Sequence, residues 1–293
     1  MSAAVDEMKI KAIAPWFGSN RMLASRFCRE LDGCNWVGVP FAGGMSELAY
    51  IHARTIVVND IHRHVINLAR VVAEPELRTP MLRELSRKPF HPDELDAAQE
   101  RCKACTPGDA PDIEAATDYF VCVWMGRSHI AGGNDEFHGR TSTRWNASGG
   151  DSVVRYRSAI KGMVAWSRIM RRCTFRTDEA IEEFLPRCED TVGHGLYCDP
   201  PFPGPGARYK HTLTIEQHES LADVLSRFKS TRVVCRFYDH PLVRRLYPSG
   251  VWQWHSLTGR TQANTVGAEV LLINGPSLVQ PQGLFATPTG ANP

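Results

Sequence analysis

Apolar residues along the chain follow two alternating rhythms, short β-branched runs and longer stretches at helical spacing. Helical spacing first covers 21–31, with Met22, Leu23, Phe27 and Leu31 on one side and Gly33 as its stop. A short apolar run, Trp-Val-Gly-Val-Pro (36–40), then enters Phe-Ala-Gly-Gly (41–44), and helical spacing resumes over 45–53. Strand, glycine turn and helix are predicted in that order. Thr-Ile-Val-Val (55–58) reads as a second strand ending in Asn59 and Asp60, followed by a helix through Val65, Ile66, Leu68, Ala69 and Val72. A βαβ arrangement opens here.

Between 74 and 116, prolines punctuate charged helical stretches, which predicts short surface helices. The apolar and aromatic segment 118–125 fits either a strand or a buried helix, and 126–150 has the Gly, Ser, Thr, Asn and Arg content of a loop. The α/β rhythm returns with a helix near 179–185 and a strand at 195–198 that runs into Asp-Pro-Pro-Phe (199–202). Thr214 and Gln217 are spaced as a capping box before a stripe of Leu221, Ala222, Val224, Leu225 and Phe228. Further strands are predicted at 232–237, 251–257 and 269–274, with a Pro/Gly tail from 276.

Composition narrows the class. Of 293 residues, 43% are hydrophobic, and 34 basic side chains nearly balance 32 acidic ones, the profile of a folded soluble chain. No apolar run approaches the ~20 residues that a membrane helix needs, and charges occupy the place of a signal-peptide core, so a cytoplasmic location is expected. Nine cysteines at scattered positions predict free thiols; Cys102 and Cys105 form one CxxC without a second half at zinc spacing, and no metal is expected. Charge is unevenly spread: 126–176 holds ten Lys or Arg against three acids, while the remainder is mildly acidic. Such a block suits a polyanion or a solvated basic face equally.

Chemistry concentrates at two predicted strand ends, where open α/β sheets bind ligands. The Phe-Ala-Gly-Gly turn lets a ligand approach the backbone, but it lacks both the GxGxxG spacing and a GKS/T, which disfavours a pyrophosphate. Asp60, sixteen residues after Gly44, suits either ribose hydroxyls or the cap of the helix starting at Ile61. An adenosine-containing ligand without a phosphate clamp fits both features. In Asp-Pro-Pro-Phe, one carboxylate sits on a turn whose prolines offer only carbonyl acceptors, and an aromatic ring follows. Asp199 and a proline carbonyl can accept the two N–H bonds of an exocyclic amine, localising its lone pair, while Phe202 stacks on the base.

In their order, Trp16 and Gly18, the turn at 40–44, the Asn59, Asp60, Ile61 strand end, a variable basic region and Asp-Pro-Pro-aromatic at 199–202 resemble the Dam-like N6-adenine-specific DNA methyltransferases. The likeness spans about Pro15 to Asn274. It implies an α/β, Rossmann-like, S-adenosylmethionine-dependent methyltransferase sheet with a smaller inserted DNA target-recognition region. The catalytic domain would be discontinuous, 1–125 and 177–275, with 126–176 as the insertion and 276–293 as a flexible C-terminal tail. The implied activity is methyl transfer from S-adenosylmethionine to N6 of a flipped-out adenine in a specific sequence of double-stranded DNA, leaving S-adenosylhomocysteine and needing no metal. A restriction-modification type of role, no membrane partner, and a monomer or weak dimer go with it.

By position, Trp16, Gly18, Pro40, Phe41, Ala42, Gly43, Gly44, Asp60, Ile61 and Asp199 would bind the cofactor. Asp199, Pro200 and Phe202 would be catalytic, and Arg127, Arg140, Arg144, Arg208, Tyr209 and Lys210 would contact DNA. The sequence departs from the family in three places: Phe202 stands for the usual tyrosine, Val39 for a frequent acid, and Ser19 with Asn20 for Gly-Lys. Two other expectations stay open, an acceptor at cytosine N4 or in RNA, and a degenerate, non-catalytic DNA-binding protein.

Overall fold

The computed structural model describes residues 12–16, 23–126, 131–141, 150–203, 209–260 and 266–279. Helix α1 (Ala24–Phe27) runs into a 3₁₀ turn at Cys28–Leu31 ahead of strand β1 (Trp36–Val39). Strand β2 (Thr55–Asn59) is followed by α2 (Arg63–Ala73), α3 (Pro75–Arg87), α4 (Pro92–Ala104) and α5 (Ile113–Met125). Helix α6 (Ser152–Met170) leads into β3 (Cys173–Arg176), and a π-helical turn at Ala180–Phe184 precedes β4 (His194–Cys198). Then come α7 (Ile215–Ser226), β5 (Arg232–Tyr238), α8 (Pro241–Leu246), β6 (Gln253–Arg260) and β7 (Val266–Ile273).

The fold is α/β, built on a seven-stranded mixed sheet in the order β3-β2-β1-β4-β5-β7-β6. The first five strands are parallel, and β7 runs antiparallel to both β5 and β6. This is compatible with a Rossmann-like fold: the order reverses between β1 and β4, as in doubly wound sheets, and differs from them by the antiparallel β7 slotted between β5 and β6. Strand alternation divides the core. Val37, Val39, Ile56, Val58 and Tyr197 belong to one hydrophobic layer with α2, α5 and α6, whereas Leu196, Cys198, Val233 and Cys235 belong to the other, with α7 and α8.

Several expectations change. The helical spacing at 45–53 yields only a 3₁₀ turn at Ser46–Ala49, because Gly43 (φ 47°) and Met45 (φ 60°) turn the backbone left-handed at its start. The 118–125 segment is helix, inside α5. Within 126–176, the described residues from 152 on join the body of the fold: α6 packs on α2, α3 and α5, and β3 pairs with β2 as an edge of the sheet. Tyr156, Ala159, Met163, Trp166 and Met170, all buried at helical spacing, make α6 part of the core. At the start of the expected tail, Leu278 N donates to Glu30 at 2.9 Å and the Ser277 hydroxyl also binds Glu30, while 280–293 lie outside the described residues.

Three of the ten basic residues in the block serve construction. Arg155 donates to the carbonyls of Trp124 and Gly126, Arg157 to those of Leu85, Ser86 and Lys88, and Arg172 to those of Ile51 and Ala53. Orphan carbonyls at the ends of α3 and α5 are thereby satisfied. Because α6 ends beside the start of β3, Arg168, Arg171 and Arg172 lie at the amino-terminal edge of the sheet. Among the described residues no helix is long and apolar enough to cross a membrane, and all nine cysteines are free. Cys102 approaches Cys122 at 3.8 Å, while Cys105, its CxxC companion, is exposed.

Candidate functional site

Where β1 and β4 diverge at their carboxyl ends, a cavity of about 450 Å³ opens, the size of a small-molecule pocket. Its wall combines the whole 40–44 turn, Asp60 and Ile61 after β2, and Asp199 and Pro201 after β4. Trp16, Gly132, the π-helical turn and the segment from Tyr209 to Leu213 complete it.

Asn59 and Asp60 hold this edge together. The fully buried Asn59 amide donates to the carbonyls of Pro40 (3.1 Å) and Asp178 (3.0 Å), and its oxygen accepts from Asp178 N at 2.8 Å. One side chain thus ties the ends of β1, β2 and β3. Asp60 Oδ2 accepts from Gly43 N at 2.7 Å and Oδ1 from His62 N at 2.8 Å. It braces the glycine turn rather than capping a helix at Ile61; α2 starts at Arg63, with His62 as its cap. Each Asp60 oxygen keeps a second lone pair.

Trp16 accounts for two of the glycines. A Cβ on Gly43 would meet its indole at 2.7 Å, and one on Gly132 at 2.5 Å, so the ring is wedged between two loops that only glycine can line. Both glycines also have positive φ, 47° and 77°.

Beside the indole lies Glu136, 3% exposed. Its carboxylate accepts from Tyr119 Oη (2.9 Å), Gly132 N (3.1 Å) and Lys210 Nζ (3.3 Å), and it shares a 2.7 Å hydrogen bond with His62 Nε2. Burial alone would raise its pKa, but the His62 and Lys210 charges and these hydrogen bonds hold it down at about 2. Burial, and then the neighbouring His62, press His64 down to about 4.

The other cluster surrounds Asp199, whose side chain is 16% exposed. Arg236 Nη1 donates to its oxygens at 3.0 and 3.3 Å, while Nε and Nη2 of the same guanidinium reach Glu269 Oε2 at 3.0 Å. Burial nonetheless keeps the Asp199 pKa above the ordinary aspartate value, against the pull of Arg236. Glu47, from the 3₁₀ turn, is 5% exposed and also lines the cavity; its Oε1 accepts from Ser46 Oγ at 3.0 Å. Burial, and next the Asp199 charge, raise it to about 7.

Of the sequence-predicted residues, Trp16, Pro40, Phe41, Ala42, Gly43, Gly44, Asp60, Ile61, Asp199, Tyr209 and Lys210 meet on the cavity wall. Phe202 does not. Its ring is 5% exposed, edge-on to Tyr238 at 4.5 Å and under the Arg236 guanidinium at 5.1 Å, so it supports the clamp on Asp199 rather than offering a stacking face. Pro200 is buried, and Pro201 takes its place on the wall. Lys210 is held by Glu136 and lies over the Phe137 ring at 4.8 Å. Arg140 is exposed and away from the wall. Gly18, Ser19, Asn20, Arg127, Arg144 and Arg208 lie outside the described residues.

Glu47 and Glu136 join the site without being among the residues the sequence predicts for it. A lone acid in Met-Ser-Glu-Leu-Ala, directly after the glycine turn, was the available signal for the first; for Glu136 there was none, since its partners come from four separate segments. No protein-family model matches the chain, and no curated protein matches it either.

Proposed function

We propose that the protein is a methyltransferase that moves the methyl group of S-adenosylmethionine to N6 of an adenine flipped out of double-stranded DNA. The observation that carries this reading is the convergence of the 40–44 turn, Asp60 and Asp199 with Pro201 on one cavity at the topological switch point. Wall charge supports it. Glu47, Asp60, Glu179, Glu182 and Asp199 face the cavity against Lys210, itself paired with Glu136. Such a wall suits a ligand with a cationic centre and disfavours a polyphosphate.

S-adenosylmethionine, when bound, supplies an electrophilic methyl group on a cationic sulfur. The 40–44 turn offers it a backbone surface, and the spare lone pairs of Asp60 accept ribose hydroxyls. Asp199, oriented by Arg236 on one side, accepts an amine N–H on the other, together with a carbonyl of the adjoining prolines. That pairing localises the nitrogen lone pair for attack. Stacking passes from Phe202 to Tyr209, a wall residue in the electrostatic field of Asp199. Flipping the base costs a few kcal/mol, offset by such contacts.

The test is incubation of unmethylated duplex DNA with methyl-labelled S-adenosylmethionine, followed by digestion to nucleosides and mass spectrometry. Label on adenine N6 is expected, with Asp199→Ala slowing transfer by at least ~10²–10³-fold while binding of duplex DNA persists. Label on cytosine N4, or on RNA alone, would move the acceptor. Absence of S-adenosylmethionine binding with and without DNA would leave a binding module, and near-normal methylation by Asp199→Ala would remove the central residue from the reading.

A further inference from the structure

Methylation of an amine leaves one proton too many on nitrogen, and although Asp199 holds an amine N–H, the Arg236 guanidinium that donates to both of its oxygens opposes its protonation. The geometry points to Glu47 as the group that accepts this proton. The inference rests on the methyltransferase reading and adds to it a second carboxylate with a different task.

Three observations support it. Glu47 lines the same cavity as Asp199 and is nearly fully buried. Its carboxylate takes hydrogen bonds from neutral donors, its own backbone N–H and the Ser46 hydroxyl, while the nearby guanidinium is engaged by Asp199 and Glu269. It comes from a short turn fixed on both sides, by Met45 N donating to Ala42 O (2.8 Å) and by Tyr50 N donating to Glu47 O (2.9 Å), so its place on the wall is set by backbone. The groups that face it are Ser46, Cys28 from the turn after α1, Tyr197 from β4, Asp199, and Arg236 from β5. Of these, Asp199 and Arg236 carry the charges that set its affinity for a proton, and burial with the Asp199 charge brings that affinity to about pH 7. A base poised near the working pH is the most effective kind.

The step balances as follows. The C–S bond breaks with its electron pair remaining on sulfur, the N6 lone pair forms the new C–N bond, and the cationic nitrogen passes one proton to the Glu47 carboxylate. Neutral Glu47 then returns the proton to solvent through the open cavity. Burying a second negative charge beside Asp199 is what makes Glu47 avid enough to take the proton.

The experiment is single-turnover methylation of unmethylated duplex DNA between pH 5.5 and 9, with calorimetric binding of S-adenosylmethionine measured alongside. Wild-type protein is expected to speed up with pH and level off above a midpoint near 7. Glu47→Gln, assayed at S-adenosylmethionine concentrations that saturate the variant, should be slower by ~10²–10⁴-fold at pH 8 and flat with pH. Glu47→Asp should restore part of the rate and the pH dependence. Ser46→Ala removes a donor that favours the ionised form, so its midpoint should rise by about half to one pH unit; this variant serves if Glu47→Gln fails to fold. A Glu47→Gln protein with the wild-type rate and profile, or an unmoved midpoint in Ser46→Ala, would overturn the inference and leave the methyltransferase reading standing. Wild-type protein that transfers no methyl group would overturn that reading first, and this inference with it.

Discussion

Two buried glutamates flank one cavity and differ in almost everything but side-chain chemistry. Glu136 is surrounded by four donors and ionises at about pH 2; Glu47 has the Ser46 hydroxyl and its own backbone N–H, with Asp199 as an anionic neighbour that outweighs the more weakly felt Arg236, and ionises at about 7. Burial penalises both charges alike. What separates them is whether the fold returns hydrogen bonds in exchange for lost water. A saturated carboxylate is a fastener, here joining α2, α5 and the segments at 131–137 and 209–211. An undersupplied one keeps an appetite for protons, which is the property a reaction can use.

The most severe way to break the contrast is Glu136→Ala. It strands His62, Lys210 and Tyr119 without their acceptor and should cost about 3–5 kcal/mol, read as a lower urea midpoint. A smaller effect is expected from acid. His64, whose folded-state pKa of about 4 lies below its unfolded value near 6.5, favours the native state above pH 6.5, and this support is lost as pH falls toward 4. Over that window stability should decline by about 3 kcal/mol, and His64→Phe should flatten the slope. Glu136 stabilises in the same direction at lower pH, its contribution fading between about 4.3 and 2. The mildest is Lys210→Met. With its side chain 34% exposed, Lys210 is the most solvated of the Glu136 donors, and losing it should cost about 1 kcal/mol or less while leaving a low Glu136 pKa, measurable by carboxyl NMR titration. A large loss would mean that Lys210, and not His62, dominates the cluster.

Local pattern carried much of this architecture. β1, β2, β4 and β5 follow apolar runs, and the Thr214 and Gln217 box caps α7 as its spacing predicts. β3 has no local signature, because Cys-Thr-Phe-Arg alternates half-buried and exposed positions without a β-branched run. α6 was hidden by its own charge: Arg155, Arg157, Lys161 and Arg168 drew attention from an apolar stripe that was legible at helical spacing. Residues of the candidate site were readable where a turn demanded them, as at 40–44 and 199–201. Glu47 and the burial of Phe202 depend on which segments come to lie against each other, and no local spacing encodes that.

The seating of Trp16 between Gly43 and Gly132 has a practical corollary. Trp16 lines the cavity, so a ligand seated there should change the surroundings of the indole and with them its emission. The expected change is an optical gauge of occupancy, separable from the other six tryptophans by comparing spectra with a Trp16→Phe variant.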